Sequence, residues 1–174
     1  MSHGYRSLSD ELRAEVRFRG LTPDRDVLRQ IGHELRLRHG SGVLSERVLK
    51  ALAFERRQGA APAVTIIDSI RNPAEVRALR DSLGEDFVLI AVLAPEDEIV
   101  RRIRGRARAG DVVDNDELAK QVLAAEMGLN EPEHGHNIAA CIELADRRID
   151  NSGTIKDLRR CVSEVVDELA GQPS

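Results

Sequence analysis

The chain has 174 residues, enough for one domain with a proper core, and its 41% hydrophobic content is ordinary for a water-soluble protein. Aromatic residues make up only 2%, so the core is aliphatic and stacking on rings is excluded as the main way of holding a base. The net charge of −4 removes any global pull toward nucleic acid, and no apolar run reaches membrane-spanning length.

The amino terminus Met1-Ser-His-Gly has no apolar signal region, which together with two thiols outside any CxxC spacing points to the cytoplasm. Ser7-Leu-Ser9-Asp-Glu-Leu-Arg13 sets a cap and acids ahead of a helical pattern, predicting a first helix over Asp10 to Arg19 closed by Gly20. Thr22-Pro23-Asp24 predicts a restart, with Thr as cap, Pro at the first helical position and a run through Ile31 and Leu35 to Arg38. His39-Gly-Ser-Gly42 breaks it, and Val43, Leu44, Val48 and Leu52 keep helical spacing to Arg57.

Val64 to Ile67 are β-branched throughout and sit between Pro62 and Asn72-Pro73, which predicts a buried strand of a mostly parallel sheet. Asp68 then falls at its carboxyl end, the edge where open α/β sheets bind ligands. An acid there can hold Mg²⁺, and Arg71 can take a phosphate in forked hydrogen bonds. The competing reading is that Asp68 caps a turn and Arg71 is a solvated loop residue. Pro73 starts a helix through Leu79 and Leu83, closed by Gly84, and Phe87 to Leu93 reads as a second strand. Strand, helix and strand with short links form a βαβ unit, which predicts that the two strands pair in parallel.

Pro95 opens a helix that runs into Arg101, Arg102, Arg104, Arg106 and Arg108, five arginines within eight residues. Such a cluster repels itself unless anions are present, which suits a segment closing over phosphates; a solvated helix face paired with Glu96, Asp97 and Glu98 is the alternative. Asp114-Asn-Asp116 caps a helix to about Met127, a loop follows, and Ile138 to Leu144 form another helix. Arg147 to Asp150 are a short strand by position, Asn151-Ser-Gly153 a tight turn, and Thr154 caps a final amphipathic helix.

A phosphate-binding loop needs G-x-x-x-x-G-K-[ST] between strand and helix, because backbone N–H groups wrap the phosphates while Lys reaches the outer ones. Gly105-Arg-Ala-Arg-Ala-Gly110 has the glycine spacing but continues with Asp111-Val112 and follows a helix, so it is a decoy. His134-Gly-His136 could supply two metal ligands, with no third nearby in sequence, and Cys141 and Cys161 lack the setting of a catalytic thiol.

Several pieces line up with one family: Ser7 to Arg13, Gly32-His-Glu-Leu-Arg36, His39-Gly-Ser-Gly-Val43, Ile67-Asp-Ser-Ile-Arg-Asn-Pro73, Arg104-Gly-Arg106 with Gly110-Asp111, and Leu144-Ala-Asp146 to Asp150-Asn-Ser-Gly153. The chain resembles the P-loop nucleoside and nucleotide kinases of the AAA-type subgroup, akin to dephospho-CoA kinase, archaeal adenylate-kinase-like proteins and the kinase-like module ahead of dCMP deaminases. The likeness runs from Tyr5 to Leu169, with Ser69 where the family usually has Gly. It implies an α/β fold, a three-layer parallel sheet flanked by helices, in one domain with a helical acceptor-binding region over about 7–58 and a lid over about 101–135.

The resemblance further implies ATP and Mg²⁺ as cofactors and phosphoryl transfer to a nucleotide or similar small phosphorylated acceptor. Ser9, Asp10 and Arg13 would meet the acceptor nucleotide, Arg71 its phosphate and Asp68 the Mg²⁺; Arg102, Arg106 and Gly110-Asp111 would belong to the lid, and Asn151, Ser152 and Gly153 would lie beside the ATP base. In such proteins the first strand and the Walker A loop precede the Ser-Leu-Ser-Asp segment, and here only four residues precede Tyr5. The expectation is therefore a sheet without its first strand and phosphate loop, whose open edge favours a homodimer. Three origins stay open: a start called too late, a degenerate relative that still binds nucleotides, or a loop supplied by a partner.

Overall fold

The computed structural model describes residues 3–105, 113, 115–129 and 131–170. They divide into two compact units, residues 1–87 with 125–141 and residues 88–124 with 142–174.

The first unit opens with a strand that the sequence does not announce. β1, His3–Ser7, carries no β-branched residue, yet it pairs in parallel with β2, Val64–Asp68, in the register His3↔Val64 to Ser7↔Asp68. Three helices separate them: α1 (Leu8–Phe18), α2 (Arg25–His39) and α3 (Val43–Arg57). α2 starts two residues later than the Thr22-Pro23 signal implies, because the Asp24 carboxylate accepts the Val27 N–H at 2.9 Å and so takes the cap itself. Leu8, Val16, Ile31, Leu35, Val43, Leu44 and Val48 form the buried core, and Ile67 and Ile70 pack against it. Burying each such aliphatic side chain contributes about 1.5–3 kcal/mol.

α4, Pro73–Leu83, follows β2 and is fixed by a full capping box of Asn72 and Glu75, with Val76 and Leu79 buried. Its start lies so close to α3 that a Cβ on Gly42 would stand 3.1 Å from the Ala74 carbonyl oxygen, which explains the glycine. β2 itself is half-covered rather than buried: Val64 and Ile66 are 48% and 58% exposed. Among the described residues the face bearing Val64 and Ile66 is left uncovered while Ile67 packs on the core, so the β-branched run reads in sequence as more deeply buried than it is.

In the second unit β3 (Ile90–Leu93) pairs in parallel with β4 (Arg147–Asp150), from Ile90↔Arg147 to Leu93↔Asp150. The ladder is extended at one end by Leu89, whose N–H donates to Asp146 Oδ2 at 2.8 Å, and at the other by the Asn151 N–H on the Leu93 carbonyl at 2.7 Å. α5 (Glu96–Gly105) follows β3, α6 (Asp116–Met127) and α7 (Ile138–Glu143) run from one unit to the other in sequence, and α8 (Ile155–Ala170) packs on β4.

The architecture is thus mixed α/β with two parallel two-stranded ladders among the described residues. The predicted pairing of the two strands around α4 does not occur there: β2 is hydrogen-bonded to β1, and β3 to β4. Each strand satisfies its backbone groups with the neighbour it has, and the sequence cannot show that His3–Ser7 is such a neighbour. No described helix is long and apolar enough to cross a membrane.

Candidate functional site

At the carboxyl end of β2 the chain turns through Ser69, whose φ of 63° places a non-glycine residue in the left-handed region. That conformation costs an L-residue about 1–2 kcal/mol, and it gives a backbone reason for a glycine at this point. The turn presents Asp68 beside Ser7, its register partner at the N-cap of α1. Ser7 makes no side-chain cap to its helix; its hydroxyl lies 3.2 Å from Ser69 Oγ. Tyr5, on the same strand, donates its hydroxyl to Asp68 Oδ2 at 2.7 Å.

Asp68 Oδ1 is buried and accepts no hydrogen bond from the described residues. Burial opposes its ionisation, but the hydroxyls of Ser7, Tyr5 and Ser69 and the charge of Arg71 outweigh that and hold the carboxyl below the usual aspartate range. The Tyr5 phenol is raised in return by the bond to Asp68. An ionised carboxylate with one buried, unpartnered oxygen is suited to a cation or to a donor from a ligand. Among the described residues no group of three or more His, Cys, Asp or Glu is arranged to hold a metal, so a cation at Asp68 would draw its other ligands from water or phosphate oxygens.

Arg71 is placed by a network that the sequence hints at only through its capping box. Glu75 is fully buried; its Oε2 accepts the N–H groups of Arg71 at 2.8 Å and Asn72 at 3.1 Å, while its Oε1 takes Arg36 Nη2 at 3.0 Å. Asn72 in turn donates to the carbonyls of Glu133 (3.1 Å) and Gly135 (2.8 Å), and the Asn137 N–H reaches the Arg71 carbonyl at 2.7 Å. These bonds fasten residues 133–137 to the exit of β2. The Arg71 guanidinium, one-third exposed, donates through Nη1 to Glu126 Oε2 at 2.8 Å, and the same oxygen lies 3.0 Å from His136 Nδ1.

Burial works against a charge on Glu126, yet His136 and the charges of Arg71 and Arg25 lower its pKa to about 2. Next to them His33 and His134 face each other through their Nε2 atoms with ring centroids 4.1 Å apart, and Arg29 pairs with Glu131. Desolvation, His134, Arg36 and Arg29 lower the His33 pKa, against the opposing charge of Glu131.

Of the acceptor residues expected from sequence, Asp10 and Arg13 are brought together as an i,i+3 ion pair of 3.0 Å on the first turns of α1, with Ser9 on the same turn. In the second unit Arg102 is anchored: its Nε donates to Glu98 at 2.7 Å and its Nη2 to the Asn151 carbonyl at 2.9 Å. Arg101 and Arg104 pair with Glu98 and Asp116. Of the partners named for a paired helix face, Glu98 holds Arg101 and Arg102, while Arg104 takes Asp116 from outside that set; Arg106, Arg108 and Gly110-Asp111 lie outside the described residues. Asp150 holds Ser152 by its N–H (2.8 Å) and hydroxyl (2.9 Å), and a Cβ on Gly153 would meet Asp157 at 2.9 Å. Burial, with the charge of Glu75, pushes the Cys141 thiol up to about 11, which keeps it unreactive near neutrality.

Tyr5, Glu75, Glu126 and His33 escape the sequence reading, and His136, singled out there only as a metal ligand, meets Glu126 instead. Only Glu75 had a local signal, the Asn72-Pro-Ala-Glu75 capping box; the others meet partners far away in the chain.

The fold and this site define an α/β protein with parallel strands that delivers an acid and an arginine at a strand's carboxyl edge. No protein-family model matches the chain. It is 31% identical over 159 residues to the UPF0200 protein of Halobacterium salinarum, covering 91% of this chain and 77% of that one. It is 32% identical over 164 residues to the UPF0200 protein of Methanothrix thermoacetophila, covering 93% and 82%. It is also 27% identical over 164 residues to a UPF0200/UPF0201 protein of Archaeoglobus fulgidus, spanning 94% of this chain and about half (47%) of that protein. The chain belongs to the UPF0200 family.

Proposed function

We propose that this chain carries the acceptor and metal side of a nucleotide kinase, serving ATP-dependent phosphoryl transfer to a (deoxy)nucleoside monophosphate or a similar small phosphorylated acceptor. The observation that carries the reading is Asp68: ionised, at the carboxyl end of a parallel strand, with one buried oxygen that accepts no hydrogen bond from the described residues. Phosphoryl transfer is chiefly positioning and charge neutralisation, so the roles of the residues are electrostatic.

Asp68 fits Mg²⁺ through its free oxygen, with Ser7 and Ser69 polar beside it. Mg²⁺, when bound, neutralises charge on the transferring phosphates. Arg71 takes the acceptor's phosphate, its backbone held by Glu75 and the 133–137 segment. Ser9, Asp10 and Arg13 are assigned to the acceptor nucleotide, Arg102 and Arg106 to phosphate charge, and Asn151-Ser152-Gly153 to the ATP base, each from the resemblance.

A second reading, a nucleotide-binding protein without catalysis, is favoured by one fact of the sequence: it carries no G-x-x-x-x-G-K-[ST] loop, and Lys50, Lys120 and Lys156 follow no glycine loop. ATP consumption across a panel of nucleoside monophosphates separates the two, measured for the chain as given and for a form extended by an upstream strand and Walker loop. The kinase reading expects near-background turnover from the first and Mg²⁺-dependent turnover, higher by orders of magnitude, from the second. Monophosphate binding with no turnover in either form selects the non-catalytic reading.

A further inference from the structure

Glu126 stands in an electrostatically odd place. It lies in the last turn of α6, where the helix dipole disfavours a carboxylate, and its side chain is only 26% exposed. What keeps it there is one oxygen shared between Arg71 Nη1 at 2.8 Å and His136 Nδ1 at 3.0 Å, with the charge of Arg25 acting in the same direction. Carboxylate and phosphate make the same kind of charge-assisted bond to a guanidinium, so Glu126 presents Arg71 with an internal anion.

We propose that Glu126 is an internal competitor for the anion site on Arg71: it holds the guanidinium in the ligand-free chain, and an incoming phosphomonoester has to displace it. The inference rests on the assignment of Arg71 to the acceptor phosphate and adds a second residue to that site. His136 makes the exchange feasible. When the guanidinium turns to a phosphate, Glu126 retains the imidazole as its partner and is not left as an unpaired buried charge, which would cost more than the new contact returns. The other charged and titratable groups facing His136 are Arg29, His33 and Arg36 from α2 and Glu131 and His134 from its own loop. Arg29 pairs with Glu131 and Arg36 with Glu75, and among the described residues Glu126 is the carboxylate paired with the Arg71 guanidinium, Glu75 holding only its backbone N–H.

The test is calorimetric titration of AMP into the full chain and its variants, with thermal melting as a check on folding. Glu126→Gln preserves shape and an acceptor for His136 while deleting the charge; it should tighten AMP binding roughly tenfold. A role in folding alone would weaken binding or leave it unchanged, so the direction of change separates the two. Glu126→Ala serves as the second variant and should also tighten binding, whereas Glu126→Asp, which keeps the charge, should not. In an Arg71→Ala background Glu126→Gln should have no effect, because the competitor then has nothing to compete for. If Arg71→Ala weakens AMP binding but the Glu126 variants do not tighten it, the competitor is refuted and Arg71 keeps its role. If Arg71→Ala binds AMP as well as the parent, the phosphate assignment falls and this inference falls with it.

Discussion

The two parallel ladders end alike and are used differently. Each terminates in an aspartate at its carboxyl edge, Asp68 opposite Ser7 in one and Asp150 opposite Leu93 in the other. Asp150 spends both oxygens on Ser152 and closes its own turn, and those bonds lower its pKa. Asp68 accepts Tyr5 on one oxygen and leaves the other buried and without a partner among the described residues. The surroundings differ in the same sense. Around the exit of β2 three hydrogen bonds, two from the Asn72 side chain and one from the Asn137 N–H, fasten residues 71–72 to 133–137, beside a capping box and a buried ion pair; in the turn after β4 the aspartate bonds only the exposed Ser152 next to it. A residue type at a topological position therefore does not make a site; the unused valence and the rigid frame do.

The sharpest way to break this contrast is to remove the frame. Glu75→Ala strands Arg36 in the core and should cost about 3–5 kcal/mol, read as a loss of unfolding free energy in denaturant. Replacing the pair together, Glu75→Leu with Arg36→Met, should cost less than either single change.

Acid should loosen the same region. Glu126 has a pKa near 2 in the folded chain against an ordinary glutamate value of 4.5, so the unfolded state binds the proton first. Its contribution is present above about pH 4.5 and is lost as pH falls toward 2, on the order of 3 kcal/mol at most. Melting between pH 5 and 2.5 should show that loss, and it should be absent in Glu126→Gln.

Arg71→Ala should weaken monophosphate binding by about 1.5–3 kcal/mol, while Arg77→Ala, exposed on α4, leaves it unchanged. Equal effects in a calorimetric titration would erase the special status of the β2 exit. Smaller again are the aspartates themselves. Asp68→Asn should abolish any Mg²⁺ dependence of nucleotide binding with little change in melting temperature, and Asp150→Asn should alter neither. A loss of Mg²⁺ dependence on substituting Asp150 instead would reverse the comparison.

The smallest effect concerns His33. Its pKa is lowered in the folded chain, so the unfolded state takes up its proton first as pH drops below the ordinary histidine range. Stability present near pH 7 should then decline modestly toward pH 5, and less so in His33→Asn.

Local chemistry was enough to write much of this down from the amino-acid order. α3 and α4 begin and end where the helical spacing, Gly42, the Asn72-Pro73 start and Gly84 say, and β4 occupies its four expected residues. Asp68 at a strand end and Arg71 in the following turn were legible because a β-branched run, an acid and a proline breaker sit within ten residues. Tertiary structure alone decided the rest. Strand pairing joins backbone groups about sixty residues apart, and a polar segment such as His3–Ser7 becomes a strand only because β2 offers it a ladder. Likewise Glu126 reaches Arg71 across more than fifty residues, and Arg102 is tied to Asn151 across forty-nine. Propensity and capping act over a few residues, whereas a charge finds its partner through space, so a sequence can place an aspartate at the end of a strand without showing which of its oxygens stays free.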